Sequence, residues 1–239
     1  MVSFSHRDPG TPEVDWAGDA SWASVPWLTP VGGGRVLVIA AHPDDETLGA
    51  GGLLSRLHRS GARISILLAT RGEAGAGVDR SARRLDEFRT AITRLAPSST
   101  IVDLRLTDGS LQSDASELRL AIERAASGVD LIVAPWVGDG HGDHRIAGEM
   151  AGEVAESLGI RLLEYPVWLW HWAEPSATTV PWDNFVRVLL SPDDRRAKQA
   201  AIGSYQTQLS HHDDEAPMLH DGMVAHFERG WETFVSREP

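Results

Sequence analysis

The sequence predicts an α/β fold with a mainly parallel sheet and helices on both faces. Short apolar runs rich in β-branched residues recur at roughly 30-residue spacing, each followed by a stretch of helical character. Polar residues gather at the carboxyl end of each run, where ligands bind in open parallel sheets. At 239 residues the chain can bury a full core and is of a length routine for one domain.

Composition narrows the functions available. Apolar residues at 42% and charged residues at 23% are close to globular averages. The net charge of −12 leaves no Lys/Arg field for phosphates, so no nucleic-acid partner is expected. With no cysteine, disulfides, thiolate zinc sites and a Cys nucleophile are excluded, and any metal must be held by His, Asp or Glu. The N-terminal residues lack the apolar core of a signal peptide, and no apolar run approaches about 18 residues. A soluble, cytoplasmic protein without a membrane span is expected.

Residues 1–34 are rich in Pro, Gly, Asp and Trp and read as an irregular arm, with Trp16, Trp22 and Trp27 as hydrophobic anchors. Residues 35–239 read as a single domain. Its first strand, from Val36 to Ala41, is a continuous apolar run and so buried on both faces. It ends in His42-Pro43-Asp44-Asp45-Glu46. A helix from Glu46 to Ser60 follows, its early glycines allowing close packing on the sheet. The second strand, Arg63 to Ala69, runs into Thr70-Arg71-Gly72-Glu73, which places Arg71 and Glu73 on the rim of a site.

Asp79 to Leu95 has helical spacing and carries Arg84 and Glu87 on one face. A third strand, Thr100 to Leu106, leads to Asp108-Gly109, and Asp114 to Ser127 reads as a helix. The strand Asp130 to Ala134 runs into Asp139-Gly140-His141-Gly142-Asp143-His144, before a helix from Arg145 to Leu158. Strands at Arg161–Tyr165 and Phe185–Leu190 flank Trp168, Trp170 and Trp172, whose alternation puts them on one face of extended chain. Such a stripe suits a core or a subunit interface, and a homo-oligomer is compatible with it. Pro192 to Tyr205 reads as a helix with a basic centre, His211-His212-Asp213-Asp214 as a solvated loop, and Leu219 to Phe234 as an amphipathic stretch.

A hard or borderline divalent cation, zinc or another, takes imidazole nitrogen and carboxylate oxygen, and a catalytic zinc site keeps one position for water. His42, Asp45 and His144 supply two imidazoles and a carboxylate from two strand ends, and zinc lowers the pKa of bound water to about 7. Asp44, beside a ligand, is free to act as general base. His141 is placed to stabilise an oxyanion or protonate a leaving amine, and Asp143 to hold a histidine in its working tautomer. A dinucleotide site is excluded, because G-x-G-x-x-G counted from Gly49 fails at Leu54 and the turn is filled with acids.

Ala41-His42-Pro43-Asp44-Asp45-Glu46 with Gly49, together with Gly140-His141-Gly142-Asp143-His144, resembles the LmbE/PIG-L family of zinc-dependent N-acetylglucosaminyl deacetylases. Thr70-Arg71-Gly72-Glu73, Arg84 to Glu87, Asp108-Gly109 and Lys198 to Gln208 add to the resemblance. It implies a Rossmann-like three-layer fold without nucleotide and zinc-assisted removal of acetyl from an amino sugar or glycoconjugate. By the same resemblance His42, Asp45 and His144 hold zinc, Asp44 is the base, His141 is its electrostatic or acid partner, and Arg71 and Asp108 contact sugar hydroxyls. Asp139 stands where members acting on sugar–inositol substrates have tyrosine, which points away from that substrate. The alternatives are hydrolysis of a non-sugar amide or ester at the same site, and a non-catalytic carbohydrate-binding protein on the same fold.

Overall fold

The apolar run Arg35–Ala40 forms β1, buried at every position after Arg35 as its lack of alternation requires. The computed structural model describes residues 4–30, 32–74, 77–211 and 217–237, with residues 77–79 described in backbone alone. In the N-terminal arm lies α1 (Glu13–Ala17). After β1 come α2 (Asp45–Arg59), β2 (Arg63–Leu68), α3 (Gly77–Leu95), β3 (Thr100–Asp103), α4 (Ala115–Ala125), β4 (Leu131–Pro135), α5 (Gly142–Leu158) and β5 (Arg161–Tyr165). Then follow α6 (Leu169–Trp172), β6 (Phe185–Leu189), α7 (Pro192–Ile202), α8 (Gln206–Leu209), α9 (Asp221–Ala225) and β7 (Trp231–Arg237).

Among the described residues the sheet has seven strands in the order β3-β2-β1-β4-β5-β7-β6. β7 runs antiparallel to both of its neighbours, and the other pairs are parallel. One face packs on α2, α3 and α7, the other on α4 and α5. This is the expected three-layer α/β architecture. Sequence order reverses between β1 and β4, which makes their carboxyl ends the switch point where such sheets bind ligands. Gly49 lets α2 lie close on the sheet: a Cβ there would run into the Tyr165 ring, whose hydroxyl donates to the Ile39 carbonyl at 2.7 Å. Among the described residues no helix is long and apolar enough to cross a membrane.

The arm is more ordered than its composition suggests. Besides α1 it holds a 3-10 turn at Ala20–Ala23, and Trp16 and Trp22 are buried. Their ring nitrogens donate to the carbonyls of Trp170 (2.8 Å) and Trp16 (2.6 Å). Glu13 adds an ion pair with Arg229, whose guanidinium lies 4.4 Å from the Trp170 ring. Trp27 differs from the other two, 53% exposed beneath the Arg187 guanidinium.

Two expectations are corrected. Trp168 to Trp172 is not extended: Leu169–Trp172 is a helical turn, so the indoles splay and only Trp170 enters the core fully. The stretch Leu219 to Phe234 is not one amphipathic element, because Gly230 separates the short α9 from β7, a run of aromatic and β-branched residues suited to a strand. Smaller differences fall at element ends, where β3 stops at Asp103 and α5 begins at Gly142. His211 is exposed, and residues 212–216 of that polar stretch lie outside the described residues.

Candidate metal centre

β1 and β4 are neighbours, so the turns that leave them meet. Each turn feeds a helix N-terminus: Asp44 precedes α2 and Asp45 opens it, while His141 caps α5 and His144 lies in its first turn. Asp44 adopts φ 125°, ψ −30°, a conformation costly for a residue with a Cβ and held only where the surroundings impose it. Arg84 supplies part of that hold. Its Nη2 donates to the Pro43 carbonyl at 3.2 Å and to Asp44 Oδ2 at 3.3 Å, and its Nη1 to the Gly72 carbonyl at 3.1 Å.

Asp45 bridges the two histidines expected as ligands. Its Oδ2 lies 3.2 Å from His42 Nδ1 and its Oδ1 3.1 Å from His144 Nε2. The two contacts run through different oxygens of the one carboxylate. His144 Nε2 is buried and has no hydrogen-bond partner, while its Nδ1 lies 2.6 Å from Asp139 Oδ2. A buried nitrogen left unpaired while its ring partner is held by a carboxylate is the pattern of a metal-binding imidazole. The nitrogens of His42, His141 and His144 lie within 4.8 Å of one another.

The other expected residues divide. Asp108 Oδ1 lies 3.0 Å from His42 Nε2, and its Oδ2 accepts from the Ala74 N–H at 2.7 Å. Asp143 Oδ2 lies 3.2 Å from the same Nε2, and its carboxylate accepts the N–H groups of Gly109 (2.8 Å) and Leu111 (3.1 Å). The histidine that Asp143 faces is therefore His42. His141 Nδ1 accepts from the Asp143 N–H at 3.2 Å, which leaves the ring proton on Nε2 when the imidazole is neutral. Arg71 turns instead to Asp103 at the end of β3, its Nε donating at 2.9 Å, and does not join the histidine cluster.

Adjacent carboxylates are pushed in opposite directions. Burial raises Asp44 to about 6, with Arg84 opposing and Asp45 adding to the rise. Burial also resists ionisation of Asp45, but the adjoining His144 and His42 outweigh it and hold Asp45 well below the usual carboxylate range. For His144, burial is overcome by Asp45 and Asp139, which lift it to about 9. His42 is raised well above its ordinary value, burial being outweighed by Asp108, Asp143 and Asp45. His141 goes the other way: burial, then the charges of His144 and His42, lower it to about 3. These surroundings favour a neutral His141 over the charged form considered from sequence. Burial also raises Glu46 to about 8; its Oε1 accepts from Thr47 Oγ1 at 2.5 Å and from the Tyr205 hydroxyl at 3.0 Å.

Sequence reasoning assigned no site role to four residues. Arg84 and Glu87 were legible as a shared helix face and as part of the family resemblance; in the structure Arg84 braces Asp44, while Glu87 accepts from Thr207 through its N–H (2.9 Å) and its Oγ1 (2.6 Å). Asp139 carries the contact to His144, and its one signal was an acid two residues before His141. Tyr205 meets Glu46 across a separation of 159 residues, which no local pattern encodes.

Residues 37–155 match the family described as PIG-L, GlcNAc-PI de-N-acetylase. A 1D-myo-inositol 2-acetamido-2-deoxy-alpha-D-glucopyranoside deacetylase of Kineococcus radiotolerans is 33% identical over 106 residues, 41% of this chain and 29% of that protein. The diacetylchitobiose deacetylase of Thermococcus kodakarensis is 32% identical over 136 residues, 53% of this chain and 51% of that protein. The matched stretches thus span between about a quarter and a half of these relatives. Among solved structures, the zinc-inhibited form of teicoplanin deacetylase superposes with a TM-score of 0.63 at 18% identity, covering 86% of this chain and 98% of that one, a likeness of fold.

Proposed function

The chain belongs to the LmbE/PIG-L family through residues 37–155, and from that premise we propose that it is a zinc-dependent hydrolase that removes the N-acetyl group from an amino sugar or its glycoconjugate. The observation that carries the reading is the pair Asp44 and Asp45, consecutive carboxylates with opposite proton affinities beside two histidines. Such a split is how one site provides both a ligand and a base.

In this reading His42, Asp45 and His144 would hold the ion, which would supply Lewis acidity. Asp44, raised by burial to about 6, takes the proton of the attacking water. His141, neutral with its proton on Nε2, donates a hydrogen bond to the oxygen that gains charge. Asp143 and Asp108 orient His42, and Asp108 offers a contact to a sugar hydroxyl. The amino-sugar substrate is supported by two relatives, deacetylases of an inositol-linked 2-acetamido-2-deoxyglucoside and of diacetylchitobiose.

The test is acetate release from a panel of N-acetylglucosaminides, before and after chelation and with zinc restored. Metal-dependent release that is nearly lost in Asp44→Ala is the expected result. Release that survives chelation, or that Asp44→Ala leaves unchanged, overturns the mechanism. Turnover of simple amides or esters alone would move the substrate outside sugar chemistry.

A further inference from the structure

We propose that Asp139 is a positioning residue: it fixes the tautomer of His144 and thereby sets the affinity of the metal centre, a role that rests on the reading of His144 as a ligand. Asp139 is fully buried. Its Oδ1 accepts from the backbone N–H groups of Val167 (2.8 Å) and Leu169 (2.9 Å), and its Oδ2 from that of Trp168 at 3.0 Å. The same Oδ2 lies 2.6 Å from His144 Nδ1. Its carbonyl takes the Trp172 ring N–H at 2.8 Å.

Three of the four groups around this carboxylate can only donate, so the carboxylate is held in place as an acceptor. Nδ1 of His144 must then carry the proton, because two acceptors do not approach to that distance in a buried site. In the neutral ring that binds a metal, the lone pair is therefore on Nε2, the nitrogen that faces Asp45. One carboxylate thus ties a candidate ligand to the backbone entering α6. α6 in turn carries the arm, since the Thr11 N–H donates to the His171 carbonyl at 3.0 Å and His171 Nε2 lies 2.9 Å from the Ser5 carbonyl.

Asp139→Asn isolates the tautomer. The amide oxygen belongs at the Oδ1 position, where it meets two backbone donors; the reverse orientation would set its NH2 group against both. The NH2 group then faces Nδ1, which becomes an acceptor, and the ring proton moves to Nε2, where it blocks a metal. In full-length protein titrated with Zn2+ against a competing chelator, the variant is expected to bind about 10- to 100-fold more weakly. A folded variant with wild-type affinity overturns the proposal. Should the variant fail to fold, heteronuclear NMR of the His144 ring in Zn2+-loaded wild type decides: a protonated Nδ1 with metal on Nε2 supports it, and the opposite arrangement overturns it. Wild type with no zinc-dependent change at His144 removes the metal reading as well, whereas equal affinities with a normal change remove only the role of Asp139.

Discussion

Arg84 Nη2 lies 3.3 Å from Asp44 Oδ2, so a cation from the middle of α3 braces the backbone-strained aspartate at the mouth of β1. The contact joins elements 40 residues apart and keeps Asp44 more acidic than its burial alone would allow.

That balance predicts a pH profile. The base form of Asp44 is needed, so kcat/KM is expected to fall as pH drops through its pKa, at or below about 6 once a bound cation lowers it further. Arg84→Met removes a lowering influence and should move this acidic limb to higher pH, as read from initial rates at fixed metal. An unchanged limb would separate Arg84 from the base.

Loss of the base itself should be selective. Asp44→Asn is expected to reduce kcat by about 10² to 10⁴-fold. Zinc affinity should stay near wild type, because the ligand set is His42, Asp45 and His144. A parallel fall in metal content, measured by emission spectroscopy on purified protein, would make Asp44 a ligand instead.

Glu46 predicts a pH effect on stability. Its folded value is raised above the ordinary 4.5 to about 8, so its contribution is complete below the unfolded value and is lost as pH rises toward the folded one. Glu46→Gln mimics the protonated form. In metal-free protein it should therefore flatten the fall in melting temperature between about pH 5 and 8 and stabilise at the upper end. Equal slopes in wild type and variant would contradict a protonated Glu46.

Lys198 and Glu232 form a buried pair at 2.7 Å, and Glu232 also accepts the N–H groups of Gly52 and Leu53, both at 2.7 Å. Removing one partner strands the other, so Glu232→Ala is expected to cost about 3–5 kcal/mol in denaturant unfolding. A loss below about 1 kcal/mol would mean that water replaces the carboxylate.

Much of this was legible from local pattern. The five parallel strands from β1 to β5 were visible as short apolar runs, and the two acidic–histidine turns stood at the ends of β1 and β4. What was not legible depends on partners far along the chain. β7 carries Glu232 and Thr233 on buried positions, so its polar residues mimic an amphipathic helix until Lys198 and the α2 backbone are seen to satisfy Glu232. Arg71 was drawn toward the site by its place after β2, but Asp103 at the end of the adjacent strand captures it. Lys198 stood in the basic centre read for the helix from Pro192, and only packing against α2 and β7 buries it.

The position of β7 also bears on how the chain folds as it is made. β7 follows β6 in sequence but lies between β5 and β6, so the sheet cannot be zipped up in chain order. During synthesis β6 emerges some 40 residues ahead of the strand that will join it to the sheet, a window in which a bare strand edge invites misassembly. The arm is already available by then. Leu28 donates to the Arg187 carbonyl at 2.7 Å and Arg187 to that of Pro26 at 2.9 Å, so in the folded chain the segment around Trp27 pairs with β6 through Arg187.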